Sequence, residues 1–275
     1  VTFQELARGW HKWRVVMAMF FQDGLVYKAN TLIWIMTDVV TAVTMPLIWL
    51  ASYNGRSSLH GYTPSEMVVY YLVVLSLTGF IESHVMWDMA NDVKQGKFNN
   101  YLIRPYPMLA YMYASNLGWR VMRTLLGLPL FVIVALAFRH YLKSPGPWHY
   151  DIGPLFWLSV ALGHGVSFFC AYTLGLLSLW LYEARSVYNL YYLPMLIFSG
   201  QIAPLALLPH ILVRGVQWLP FPYTIAFPAD IFLGHVSGPQ LWAGLAAQAA
   251  WIGIGALCAS ALWRGGVRRY TAFGI

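Results

Sequence analysis

The sequence predicts an all-α integral membrane fold with six transmembrane helices. An N-terminal interfacial helix precedes them, a short polar helix joins spans 2 and 3, and a re-entrant hairpin joins spans 5 and 6. Composition is the first reason: of 275 residues, 59% are hydrophobic and only 10% charged, against roughly 25% charged in soluble domains. Patterning is the second: apolar stretches long enough for the roughly 20 residues a spanning helix needs fall at 25–52, 65–87, 108–138, 153–182, 187–208 and 240–263. The third is how the cations segregate between the loops these spans create.

At the N-terminus, Phe3, Leu6, Trp10, Trp13, Met17 and Phe20 recur at spacings of three and four, while Glu5, Arg8, His11 and Lys12 fall on the opposite face. That pattern over 1–22 describes a helix lying in the membrane interface, with tryptophans at headgroup level and basic side chains toward lipid phosphates. "VVMAMFF" (15–21) is too short for a signal-peptide core and leads into Gln22 and Asp23 rather than a small-residue cleavage site.

Between spans 2 and 3 lies "NDVKQGKFNNYLIRPYP" (91–107). Asp88, Asp92, Lys94 and Lys97 make the segment 88–107 soluble, whereas Val93, Phe98, Tyr101 and Leu102 give it an apolar side. Gly96 bends it, and Arg104 followed by Pro105 stops it. An amphipathic helix held between two spans reads as a docking element; the competing reading is a solvated connector.

Between spans 5 and 6, Pro204, Pro209, Pro220, Pro222 and Pro228 cannot occupy one straight helix. Backbone broken at membrane depth must be buried in protein or line water, so two short helices dipping back into one leaflet are expected over 204–234. An ordinary extramembrane loop is the alternative. In the last span, Ala246/Ala250 and Gly255/Ala259 repeat small residues four apart, which permits close helix packing.

Orientation follows from the 17 Lys and Arg residues. With the N-terminus cytoplasmic, that side collects 13 of them, including Arg120 and Arg123, and the other side receives Arg56, Arg139, Lys143 and Arg214. The positive-inside rule then puts both termini in the cytoplasm and accounts for the net charge of +7 by topology, without nucleic acid as a partner.

The pattern Asp92-Val93-x-x-Gly96-Lys97-Phe98-x-x-Tyr101-Leu102-Ile103-Arg104-Pro105 resembles the cytoplasmic coupling segment of type-2, exporter-class permeases of bacterial ATP-binding-cassette transporters. "FSGQIAPLALLPHILVRGVQWLPFPYTIAFPADIFLG" (198–234) resembles that family's external hairpin, and "GVRRYTAFGI" is similar to the endings of one bacterial subgroup. The resemblance implies a non-catalytic permease subunit in the bacterial inner membrane, paired with an identical or related permease and driven by a cytoplasmic ATPase dimer. The ATPase, not this chain, would bind ATP and Mg. Asp92, Val93, Gly96, Lys97, Phe98, Tyr101, Leu102 and Arg104 would carry the coupling, with Phe98, Tyr101 and Leu102 inserting into a groove on the ATPase, and the hairpin would gate the outer end with Pro204, Pro209, Phe221, Tyr223 and Phe227.

Two acids, Asp38 and Glu82, fall inside apolar spans, where a charge costs about 2.5 kcal/mol or more unless paired or hydrated. They read either as helix-pairing groups or as a substrate or proton site, the latter making the chain an ion-coupled secondary transporter. Aromatic residues of spans 1 and 5, including Trp34, Trp49, Tyr192 and Phe198, suit an amphipathic, lipid-like or drug-like cargo along a pathway past Asp38; interface anchoring is the other reading. Catalysis has no support: the chain holds no phosphate loop, no HExxH and no nucleophile elbow. Cys170 and Cys258 lie apart in apolar spans, so neither a metal centre nor a disulfide framework is indicated.

Overall fold

Helix α1 (Lys28–Ser52) opens the part of the chain that the computed structural model describes, namely residues 28–103, 106–142, 150–181 and 184–270. The expected interfacial helix over 1–22, Arg104 and residues 271–275 lie outside the described residues. Among the described residues all regular structure is helical, apart from one bridge between Leu59 and Tyr62. The hydroxyls of Thr37, Thr41 and Thr44 in α1 bond back to the carbonyls four residues earlier. That satisfies them on a helix whose Ile33, Val40 and Leu47 face outward.

The next span is interrupted. Helix α2 (Pro64–Ile81) starts on a capping box, in which Thr63 accepts from the Glu66 amide while the Glu66 carboxylate accepts from the Thr63 amide. It ends at Glu82, whose backbone is extended, and α3 (Val85–Lys94) resumes after His84. The sequence reading of one span over 65–87 followed by a polar segment is therefore corrected. Residues 88–94 continue the second helical half, and the break lies at Glu82–His84.

A turn through Gly96, at φ +70°, leads to the one-turn helix α4 (Asn99–Leu102). Then come α5 (Met108–Ala137), α6 (Arg139–Leu142) and α7 (Pro154–Leu176), the last extended by a 3₁₀ turn at Leu177–Leu179. The stretch expected as span 5 forms only α8 (Ala184–Phe198), 15 residues or about 22 Å. Pro194 lies within it, and a turn at Ser199–Gly200 ends it. Among the described residues, five helical segments are long and apolar enough to cross a membrane: Leu32–Ser52, Pro64–Lys94, Met108–Ala137, Pro154–Leu179 and Gly238–Arg269.

After α8 the chain makes a 3₁₀ turn (Leu205–Leu207), α9 (His210–Val216), a second 3₁₀ turn (Phe221–Tyr223) and α10 (Ala226–Phe232) before the last long helix, α11 (Gly238–Arg269). The prolines precede these pieces or fall within their first turn, where no N–H is needed for an intrahelical bond. Of the two small-residue pairs, Gly255/Ala259 belongs to a helix contact, since a Cβ on Gly255 would lie 2.7 Å from Phe169 of α7. Ala246 and Ala250 are exposed.

Among the described residues the apolar interior falls into three clusters. One gathers Tyr62, Tyr70, Tyr71, Phe156, Ile225 and Leu241; a second gathers Met89, Phe98, Met108, Phe168, Leu176 and Tyr188; a smaller third joins Val68 and Leu72 to Val134 and Phe138. The chain passes from the first to the second through Glu82–Ser83–His84, and there the interior turns polar.

Candidate functional site

Ending α2 at Ile81 releases backbone carbonyls that the helix would otherwise satisfy, and buried carbonyls must find other donors. Arg120 of α5, fully buried, places Nη1 3.4 Å from both the Thr78 and Gly79 carbonyls and Nη2 2.8 Å from His84 Nδ1. A cation at a helix C-terminus also complements its dipole. His164 of α7 contacts the Ile81 carbonyl through Nδ1 at 3.1 Å, and Asn116 approaches its Nε2 at 3.4 Å. The neutral tautomer with hydrogen on Nδ1 fits both contacts. The Ser83 amide donates to Ser167 Oγ at 2.9 Å and the Ser83 hydroxyl to Asn116 at 3.1 Å. The Gly79 and Ile81 carbonyls, the Ser83 amide and hydroxyl and the His84 ring are thus each met by a side chain from α5 or α7.

A second break meets the first. Past α8, Gln201 donates to Glu82 at 2.7 Å and to Ser199 at 3.0 Å. The carbonyls of this irregular stretch are capped from α2 and α1: Tyr70 donates to Gly200 at 2.7 Å, Tyr71 to Ile202 at 2.6 Å, and Trp49 Nε1 to Ile202 at 3.4 Å. Irregular backbone at 82–84 and 199–203 therefore converges on one buried carboxylate. His84 Nε2 stands 3.7 Å from the other Glu82 oxygen.

Asp38 of α1 is ion-paired with Arg123, one helical turn from Arg120, and the Trp119 ring lies 5.2 Å from both guanidinium carbons. Two acids and two arginines thus share the interior. The sequence reading assigned Arg120 and Arg123 to the cytoplasmic side; they lie instead in the middle of α5 and pair within the bundle. Removing them from the cation count leaves the two loop faces unequal in the same direction. The signal that marks them was present: two arginines three apart in a 30-residue apolar helix have to find acids.

The remaining predicted residues fall at two further places. In the 88–107 segment, Val93 and Phe98 are buried inside the bundle, with the Phe98 ring 4.9 Å from Tyr270 and 6.0 Å from Trp263 of α11. The expectation that Phe98 projects into a partner is corrected: it anchors the turn, because its apolar ring finds α11 first. Tyr101 is half-buried and donates to Asp92, Gly96 makes the turn, and Lys97 is exposed. Leu102 is 41% exposed and its neighbour Ile103, which sequence reasoning left unassigned, is 82% exposed.

In the hairpin, Pro204 is buried at the entry to the first 3₁₀ turn, and Pro209 is exposed just before α9. Phe221 meets Tyr191 and Phe198 of α8, ring centroids 5.5 and 6.4 Å apart. Phe227 is wedged against α11, where a Cβ on Gly244 would lie 2.1 Å from its ring, and Tyr223 donates to the Gln217 carbonyl at 3.0 Å. Trp34 is half-exposed with its ring 6.4 Å from His84, and Tyr192 is partly buried.

The hairpin is tied to the start of α2 by polar contacts. Tyr62 donates to Asp230 at 3.2 Å, and His235 Nε2 lies 3.5 Å from Glu66 Oε1. Burial pushes the Asp230 carboxyl up to about 6, against the opposing pull of His235 and the Tyr62 hydroxyl.

Comparison with curated proteins and with solved structures finds no match. Comparison with protein families does: residues 39–274 match the model described as ABC-2 family transporter protein. This stretch includes both helix breaks, the 88–107 segment and the hairpin. With its apolar spanning helices and its match over most of the chain, the protein belongs to the ABC-2 transporter family as a multi-pass membrane permease.

Proposed function

We propose that this permease is the membrane half of an ATP-driven exporter in the bacterial inner membrane, with both termini cytoplasmic. It pairs with a second permease, identical or related, and two cytoplasmic ATPases that bind ATP and Mg energise the pair. Counting α8 with its broken continuation as a crossing gives six, which returns the C-terminus to the side of the N-terminus. The 204–234 hairpin then sits at the external end. The cargo class the interior suits is an amphipathic, lipid-like or drug-like molecule.

The observation that carries the coupling role is the contrast within one short segment. Val93 and Phe98 are locked into the bundle while Leu102 and Ile103 stand outside it. An element fixed at its root and apolar at its tip transmits a push to the helices behind it, which a loose connector cannot do. Buried apolar anchors at interfaces are typically worth about 2 kcal/mol or more, and exposed charge pairs about 0–1 kcal/mol. Leu102→Asp is therefore expected to release the ATPase or uncouple its turnover, and Lys97→Ala to be mild, in co-purification with tagged ATPase and in vesicle transport. Wild-type association and transport by Leu102→Asp would reduce the segment to a connector. ATP dependence that persists with an ionophore separates this mechanism from ion-coupled transport through Asp38 and Glu82, both of which are engaged by partners.

Topology has its own test. With Cys170 and Cys258 replaced, a cysteine at exposed Ser58 is expected to react with an impermeant thiol reagent in intact cells. One at exposed Asn99 is expected to react only after permeabilisation. Labelling of Asn99 from outside reverses the orientation.

A further inference from the structure

Between α1, α2 and α5 lies a cavity of about 170 Å³ to which neither helix break contributes. Asp38, Arg123 and Thr124 make its polar end, and the rest of its wall is mostly apolar, including Gly79, Gly127 and Leu128. Leu128 is 49% exposed, so the mouth opens on the apolar outer surface of the bundle.

The polar end is incompletely satisfied. Arg123 is 3% exposed and gives one arm to Asp38, but its Nε has no hydrogen-bond partner. The Thr124 hydroxyl is buried without a partner, unlike those of Thr37, Thr41 and Thr44, which bond back to their own helix. Unmet donors in an apolar cavity are unfavourable unless something fills it. What fills it is constrained by charge: Asp38 and Arg123 already balance, so a charged ligand would bring an uncompensated charge into low dielectric. A hydroxyl or carbonyl oxygen can accept from Arg123 Nε and Thr124 together. The volume is close to that of the roughly 150 Å³ cavity that takes one benzene ring, so the site holds a head group and a few carbons, with any longer chain leaving past Leu128.

We propose that this cavity binds the oxygen-bearing head of an uncharged amphiphile that enters sideways from the bilayer. Binding itself stands on the cavity; only identifying the ligand as cargo rests on the exporter reading.

The probe is octanol bearing a photoactivatable diazirine, with the matching octanoate and octane as comparisons, applied to the purified permease in lipid nanodiscs without ATPase. Adducts are mapped by mass spectrometry. The octanol is expected to label α1, α2 and α5 around the cavity saturably, and the anionic and oxygen-free probes weakly. Thr124→Val keeps the shape and removes the hydroxyl, so it should weaken octanol labelling about tenfold and leave octane unchanged. Gly127→Leu fills the space; its Cβ meets nothing nearer than Ile35 Cγ2 at 3.9 Å, and it should abolish labelling by all three probes. Non-saturable labelling, equal labelling by octanoate, or indifference to both substitutions overturns the proposal.

Source is read in a second arm, with ATPase-containing vesicles. If Gly127→Leu also stops ATP-driven movement of the octanol, the ligand is cargo; if movement persists, the site holds a resident lipid. Absence of ATP-driven movement in the wild type counts against the exporter reading and leaves the labelling result intact.

Discussion

Arg120→Ala is expected to lower stability by about 3–5 kcal/mol, the usual effect of stripping one partner from a buried charged network. The fully buried guanidinium serves the Thr78 and Gly79 carbonyls and His84 at once. Removing it strips the donor from the Gly79 carbonyl and from His84 Nδ1 and leaves the Thr78 carbonyl only the Glu82 amide, in an interior that water cannot re-solvate. The measurement is the melting temperature and monodispersity of detergent-purified protein. Arg120→Lys restores charge without the fork geometry, so it should recover only part of the loss. If Arg120→Ala melts with the wild type, the arginine does not cap α2.

Gly200→Ala is expected to be the second most damaging single change, at about 2–5 kcal/mol from two independent effects. Gly200 has φ +88°, a conformation that a side chain disfavours, and a Cβ there would lie 2.5 Å from Tyr70 Oη and 2.9 Å from Ala226 Cβ. Neither neighbour can retreat freely: the Tyr70 hydroxyl is held by the Gly200 carbonyl at 2.7 Å, and Ala226 is buried in α10. Gly55→Ala isolates the backbone effect, because Gly55 has φ +82° but nothing within 4 Å of its Cβ. It should show only about 1 kcal/mol. Equal melting of the two variants would remove the steric contact between the second break and α2.

The membrane class, the helical fold, the prolines that break the chain between the last two spans and the family were all legible in the sequence. Each is written in a local quantity: apolar run length, proline positions, glycine turns and a short motif. The two intramembrane acids were legible for the same reason, since an ionisable residue in a long apolar run is conspicuous by itself.

What answers those acids was not legible. Asp38 is met by Arg123 across 85 positions, and Glu82 by Gln201 across 119. Arginines at 120 and 123 stand out in a long apolar run, but nothing local to them says which acid or carbonyl each one meets. Nor does the sequence say that α2 stops at Ile81: residues 65–87 contain no proline, and the glycine nearest Glu82, Gly79, lies inside α2 rather than at its end. That break exists because Arg120 and His164 supply donors to the freed carbonyls. Phe98 was misread for a related reason, since an aromatic ring in a polar loop suits a partner's groove and the protein's own interior equally well. Tertiary packing decided it by bringing Tyr270 and Trp263 to the ring. Sequence thus determined where the chain is apolar and where its backbone bends, because those depend on residues near one another. Only the tertiary structure decided which buried charges and broken carbonyls satisfy each other, because that depends on which helices become neighbours.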